Sequence, residues 1–104
     1  MIREHRRSCP PWCVADHATD DEGGPQRHRS ATVVVPGISI RSGAPHAIEG
    51  IEILIELHAE DGDPVVGVYI GDGVDSGLDI TTETAGRLVR RLVETLRAAG
   101  VSPL

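Results

Sequence analysis

The sequence has no phenylalanine and no lysine, one tryptophan (Trp12), one tyrosine (Tyr69) and two cysteines in 104 residues. Two aromatic rings cannot build a stacking platform for nucleobases, and the core has to come almost wholly from Val, Ile and Leu. No segment approaches the ~20 apolar residues that cross a bilayer, and the opening MIREHRR has no apolar run behind its charges. A cytoplasmic protein without a membrane association is therefore expected. No Ser/His/Asp set and no phosphate-cradling glycine loop is present in the pattern, which speaks against an enzyme.

All ten basic residues are arginine, against sixteen acids, for a net charge of −6. Residues 1–29 hold five Arg and five acids, whereas residues 30–104 hold five Arg and eleven acids. Any basic footprint for a nucleic acid is confined to Arg3, Arg6, Arg7, Arg27 and Arg29 near the N-terminus. Overall acidity disfavours such a partner.

A chain of this length is one domain and can bury roughly 65% of the surface it exposes unfolded. Residues 1–30 have no periodic apolar pattern and an acidic cluster at Asp20, Asp21 and Glu22, so this segment needs its own source of order. From Ala31 the β-branched run ATVVVPGISIR reads as a strand of about nine residues, with Pro36-Gly37 marking a bulge or an edge. Ile51, Ile53, Ile55, Leu57 and Ala59 then alternate with Glu52, Leu54, Glu56, His58 and Glu60, the period of a half-buried strand. Turn residues Asp61-Gly62 and Asp63-Pro64 follow, so 49–60 and 64–70 form an antiparallel hairpin with Val66, Val68 and Ile70 on the buried side. The acids of GDGVDSGLD lack the spacing of a calcium loop.

The last element is a helix with Thr81 as N-cap, an apolar stripe at Ala85, Leu88, Val89, Leu92, Val93, Leu96 and Ala99, and Gly100 as its stop. Arg87, Arg90, Arg91 and Arg97 lie off the stripe as a solvated face. The fold expected is α+β: a three-stranded antiparallel meander, or four-stranded with a short strand near Leu78, packed on one C-terminal helix. Residues 1–30 form a zinc-binding N-terminal segment, residues 31–104 the meander and helix, and the two make one compact domain.

The chemistry is concentrated in CPPWCVADH, residues 9–17, with His28 beyond it. Cys9, Cys13, His17 and His28 have the spacing C-x3-C-x3-H-x10-H. In a reducing compartment two cysteines four residues apart are metal ligands or thiols rather than a disulfide. Pro10 forces Cys9 into an extended conformation, and a helical turn from Pro11 would put Cys13 and His17 on one face. Two thiolates and two imidazoles are a closed structural zinc set, with iron or another thiophilic metal as alternatives. His5 could replace His28. Asp16 and Ser30 are candidates to hydrogen-bond the ligating imidazoles. His46 and His58 read as surface residues.

CPPWCVADH, followed by His28-Arg29-Ser30, β-rich sequence and a helix opened by LDITTETAGRLV, resembles a family of small actinobacterial proteins of unknown function. Their signature is C-P-x-W-C…H…H-x-S, and their closing helix commonly begins L-T-P-E-E-A. Thr82 and Thr84 depart from it. The resemblance implies a metal site and this architecture, and it implies no activity.

The function expected is a non-catalytic zinc-stabilised domain acting through protein contacts, regulatory or accessory, with a homodimer as one form of partner. Trp12 is the interaction candidate if exposed, and otherwise covers the sheet edge; Arg6, Arg7, Arg27 and Arg29 are the others. The alternatives are a nucleic-acid-binding knuckle using those arginines, and an enzyme in which Cys9, Cys13 and His17 hold zinc with water in the fourth position.

Overall fold

The computed structural model describes residues 9–17, 26–41 and 47–102. They form a five-stranded antiparallel sheet and one helix: β1 (Arg27–Arg29), β2 (Val33–Arg41), β3 (Ala47–Glu60), β4 (Gly67–Gly71), β5 (Gly77–Thr81) and α1 (Thr82–Ala98). The expected α+β meander with one C-terminal helix is present, the short strand at Leu78 is β5, and β1 is an additional strand. No helix among the described residues is long and apolar enough to cross a membrane.

β3, fourteen residues long, organises the sheet. One side of it pairs with β4, which in turn pairs with β5; its other side pairs with β1 and β2 in succession. Arg29 lies opposite His58 and Val33 opposite Ile55, so three residues, Ser30, Ala31 and Thr32, face only Leu57 and Glu56. This is a bulge of one residue. Ser30 holds it: its N–H donates to Leu57 O (2.9 Å), and its hydroxyl accepts from Leu57 N (2.8 Å). The bulge lies upstream of Pro36-Gly37, where pairing with β3 continues without a break and Pro36 occupies an edge strand.

A one-residue slip exchanges the two faces of a strand. The bulge therefore puts His28 on the face that also carries Leu57, Ile55, Val33 and Val35, paired through register with Val68, Ile70, Leu78 and Ile80. Val68 is the only buried apolar side chain among the described residues, and His28 is the buried polar one. Val66 and Ile70, expected with Val68 on the buried side, are half-buried. The opposite face is polar around β1: Arg27 stands 3.8 Å from Glu60 and Arg29 3.9 Å from Glu56.

Glycines on that polar face make room for long side chains. His58 pairs with Gly67 and its ring crosses β4 to place Nε2 2.5 Å from Asp79 Oδ1 on β5. A methyl group built on Gly67 would stand 2.5 Å from that nitrogen. Gly67→Ala is accordingly expected to push the exposed imidazole off Asp79 and cost no more than about 1 kcal/mol, read as a slightly lower urea midpoint. In a His58→Ala background the same change should cost far less, and equal costs in both backgrounds would refute the clash.

The β4–β5 loop is held by Asp72, whose Oδ1 accepts from the backbone N–H of Val74, Asp75 and Ser76 at 2.8–3.2 Å. Those bonds, Val74's first, hold its carboxyl below the usual range. Thr81 caps α1 by accepting from Thr84 N (3.2 Å). The helix ends at Gly100, which takes φ +81°, with Gly100 N on Arg97 O and Val101 N on Leu96 O (both 2.9 Å). That pair of bonds is the Schellman stop. No residue of α1 is buried: among the described residues the helix follows β5 without a linker and lies mainly against β4 and β5.

Candidate metal centre

Residues 9–17 have few backbone bonds of their own. Pro10 and Pro11 lack N–H donors, and Pro10 O accepts from Cys13 N (3.0 Å), closing a tight turn around Pro11 and Trp12. Pro at the second position suits such a turn. The turn brings the two sulfurs to 3.9 Å, too far for a disulfide.

The helix expected from Pro11 to His17 is not formed across residues 13–16. Val14 N instead donates to Arg29 O (2.8 Å), fastening the segment to β1 as an added, strand-like neighbour. That bond takes the donor a helical turn would have used. Cys13 and His17 therefore meet through a turn and an extended stretch rather than on a helical face.

His17 and His28 approach edge to face, ring centroids 5.1 Å apart. Cys9 Sγ lies 3.1 Å from His17 Nε2 and 3.7 Å from His28 Nδ1, and Cys13 Sγ lies 3.6 Å from His17 Nε2. One donor atom from each of Cys9, Cys13, His17 and His28 falls within 4.8 Å of all the others. These four residues could hold a metal ion. They come from a loop and from β1, so the site ties the N-terminal segment to the sheet.

His28 is 3% exposed, and its Nε2 lies 2.5 Å from Asp61 Oδ1. Asp61 follows β3, where its N–H donates to Gln26 O (2.9 Å), so the backbone ladder itself delivers the carboxylate to the ring. Burial alone would push the His28 pKa down, but Asp61 and Cys13 hold it above its ordinary value. With Nε2 directed to Asp61, Nδ1 is the ring atom left for the sulfurs or for an ion held between them. Burial would likewise raise the Cys13 thiol, yet the backbone amides of Arg29 and Ala15, then His28 and His17, bring it down to about 6.

The carboxylate on His28 is thus that of Asp61, a residue that sequence reasoning assigned to a turn. The hydroxyl of Ser30 serves Leu57 N and Ala31 O, and Asp16 is exposed between the ligands. Trp12 is half-buried in the turn, and Arg27 and Arg29 are exposed beside His28. Arg3, Arg6, Arg7, His5 and His46 lie outside the described residues.

Sheet, helix and cluster together define a small α+β domain with a candidate Cys2His2 metal centre. The chain belongs to the family described as a domain of unknown function (DUF6907), whose model matches residues 2–102. No curated protein and no solved structure matches it.

Proposed function

We propose that this chain is a non-catalytic, zinc-stabilised domain that acts through protein contacts, as a regulatory or accessory component. The observation that carries the reading is the convergence of four protein donor atoms within 4.8 Å. A zinc ion with sulfur at about 2.3 Å and nitrogen at about 2.0–2.1 Å sets neighbouring tetrahedral donors about 3.4–3.8 Å apart. Distances of 3.1, 3.6, 3.7 and 3.9 Å among the donor atoms lie close to that geometry and support the reading. Mixed thiolate and imidazole donors favour zinc over magnesium or calcium. Four protein ligands leave no position for a reactive water, which weighs against the three-ligand enzyme.

Protein contact is favoured over nucleic acid by the ion pairs of Arg27 and Arg29 with Glu60 and Glu56, which neutralise the described basic residues near the site. Exposed apolar side chains on β2, β3 and α1 supply a surface suited to protein. A reducing compartment such as the cytoplasm keeps the thiols available to the metal.

The test is elemental analysis and X-ray absorption on protein purified without added metal. One zinc per chain with two sulfur and two nitrogen neighbours is the expected result. An oxygen neighbour in place of one nitrogen would favour the enzyme, an iron edge would replace zinc, and protein with no metal that also takes up none on titration would end the proposal.

A further inference from the structure

Both cysteines of the chain lie in one turn. Cys9 and Cys13 flank Pro10, Pro11 and Trp12, and the bond from Cys13 N to Pro10 O holds their sulfurs 3.9 Å apart and unbridged. A disulfide has its sulfurs about 2.05 Å apart, so this pair bridges by an approach of about 2 Å, within the reach of side-chain rotation. Both side chains are half-buried, and Pro11, Val14 and Asp16 around them are exposed, which leaves the sulfurs open to a small solute.

The placing of the donors gives that pair its leverage. Three of the four, Cys9, Cys13 and His17, belong to residues 9–17, and the fourth, His28, stands on β1. Joining the sulfurs removes both anionic donors in one event. What is left for a divalent ion is two imidazoles with ring centroids 5.1 Å apart. A closed zinc site uses four ligands, and the thiolate is the form of cysteine that binds a metal. The sheet does not depend on the ion: Asp61 N on Gln26 O ties β1 to β3, and Ser30 N on Leu57 O holds the bulge (both 2.9 Å). The loss is therefore felt at the junction of residues 9–17 with β1, which Val14 N on Arg29 O (2.8 Å) spans.

We propose that the cluster is a reversible redox latch, in which a hydroperoxide joins Cys9 to Cys13, the site gives up its metal, and residues 9–17 loosen from β1. The latch rests on the metal-centre reading and gives that site its regulation. One sulfur attacks the peroxide: an S–O bond forms, the O–O bond breaks, and the departing oxygen takes a proton from solvent, leaving a sulfenic acid. The second sulfur attacks the first, forming the S–S bond and expelling hydroxide, which takes a proton to become water. The sulfurs together lose two electrons to the peroxide, and the metal departs with its charge unchanged. A dithiol reductant reverses the change by exchange, ending as its own disulfide and returning two thiols to the site.

Hydrogen peroxide added to the full metal-loaded chain, with a chromophoric chelator present, tests this. Metal content before the addition reports on the metal-centre reading by itself. After it, one ion per chain is expected to pass to the chelator, the intact mass to fall by two hydrogens, and digestion to return Cys9 and Cys13 in a single bridged peptide. The Val14 amide should then exchange as fast as in chelated protein, while far-ultraviolet circular dichroism stays unchanged. A dithiol followed by added metal should restore the starting state. Cysteines that remain reduced with metal bound under excess peroxide, that advance to sulfinic acid, or that bridge between chains would overturn the latch and leave the metal reading standing. So would a Cys9–Cys13 bridge that leaves the metal bound or the Val14 exchange rate unchanged. A chain that binds no metal before peroxide is added would overturn both.

Discussion

Replacing Cys13 with serine is expected to lower metal affinity roughly 10²–10³-fold, because the on the order of 10–16 kcal/mol of a structural zinc site is spread over four ligands. A serine hydroxyl is a poor donor for a thiophilic ion, whereas the Cys13 thiol, brought down to about 6 against burial by the amides of Arg29 and Ala15, loses its proton more readily than an ordinary cysteine. Structural loss should follow. Residues 9–17 are fastened to β1 by the backbone bond from Val14 N to Arg29 O, and convergence of the ligands adds to their order. Competition with a chromophoric chelator measures the affinity, and the exchange rate of the Val14 amide reports whether the segment stays docked. Chelation of the wild type should raise that rate just as the substitution does. A Cys13→Ser protein that retained full metal content against the chelator would show that the ion sits elsewhere.

What the sequence disclosed of this site, and what it hid, follows from how local each feature is. The strict alternation from Ile51 to Glu60 reports β3, because a half-buried strand imposes period two on its own residues. Thr81 and Gly100 mark the ends of α1 because cap chemistry is confined to a few neighbouring positions. The ligand set is also readable, since Cys and His at such spacings have few other uses. β1 is not, because Arg27, His28 and Arg29 include no apolar residue, and they become a strand only through pairing with β3.

Two further features depend on partners distant in the chain. The bulge at residues 30–32 is invisible until the register of β3 is known, yet it turns His28 toward the apolar face. Asp61 reads as a turn residue beside Gly62, and its role appears only when Gln26 and His28 are laid opposite β3. The helix expected at residues 11–17 fails for a similar reason: the strand-like bond from Val14 to β1 is a tertiary preference that no local propensity contains. Exposure of β2 is equally non-local, since the same β-branched run would be an ordinary core strand if another layer covered its face.

The largest effect outside the ligands themselves is expected at Asp61. Its carboxylate accepts from His28 Nε2, which fixes the tautomer, aims Nδ1 at the sulfurs and makes the imidazole a better donor. Asp61→Asn keeps an acceptor oxygen on the ring but removes the charge, and loss of such a partner typically costs 10–100-fold in metal affinity. Asp61→Ala should cost stability as well, about 1–3 kcal/mol, because it strands an N–H on a ring that is 3% exposed. The two variants therefore separate electrostatics from satisfaction: both lose metal affinity in a chelator competition, and at a pH where His28 is neutral only the alanine lowers the urea midpoint of metal-free protein. An NMR titration of the metal-free asparagine variant should find the His28 pKa below that of wild type, since the carboxylate is the leading influence raising it against burial. Unchanged metal affinity in Asp61→Asn would mean that the short His28–Asp61 contact braces β1 against β3 without tuning the site.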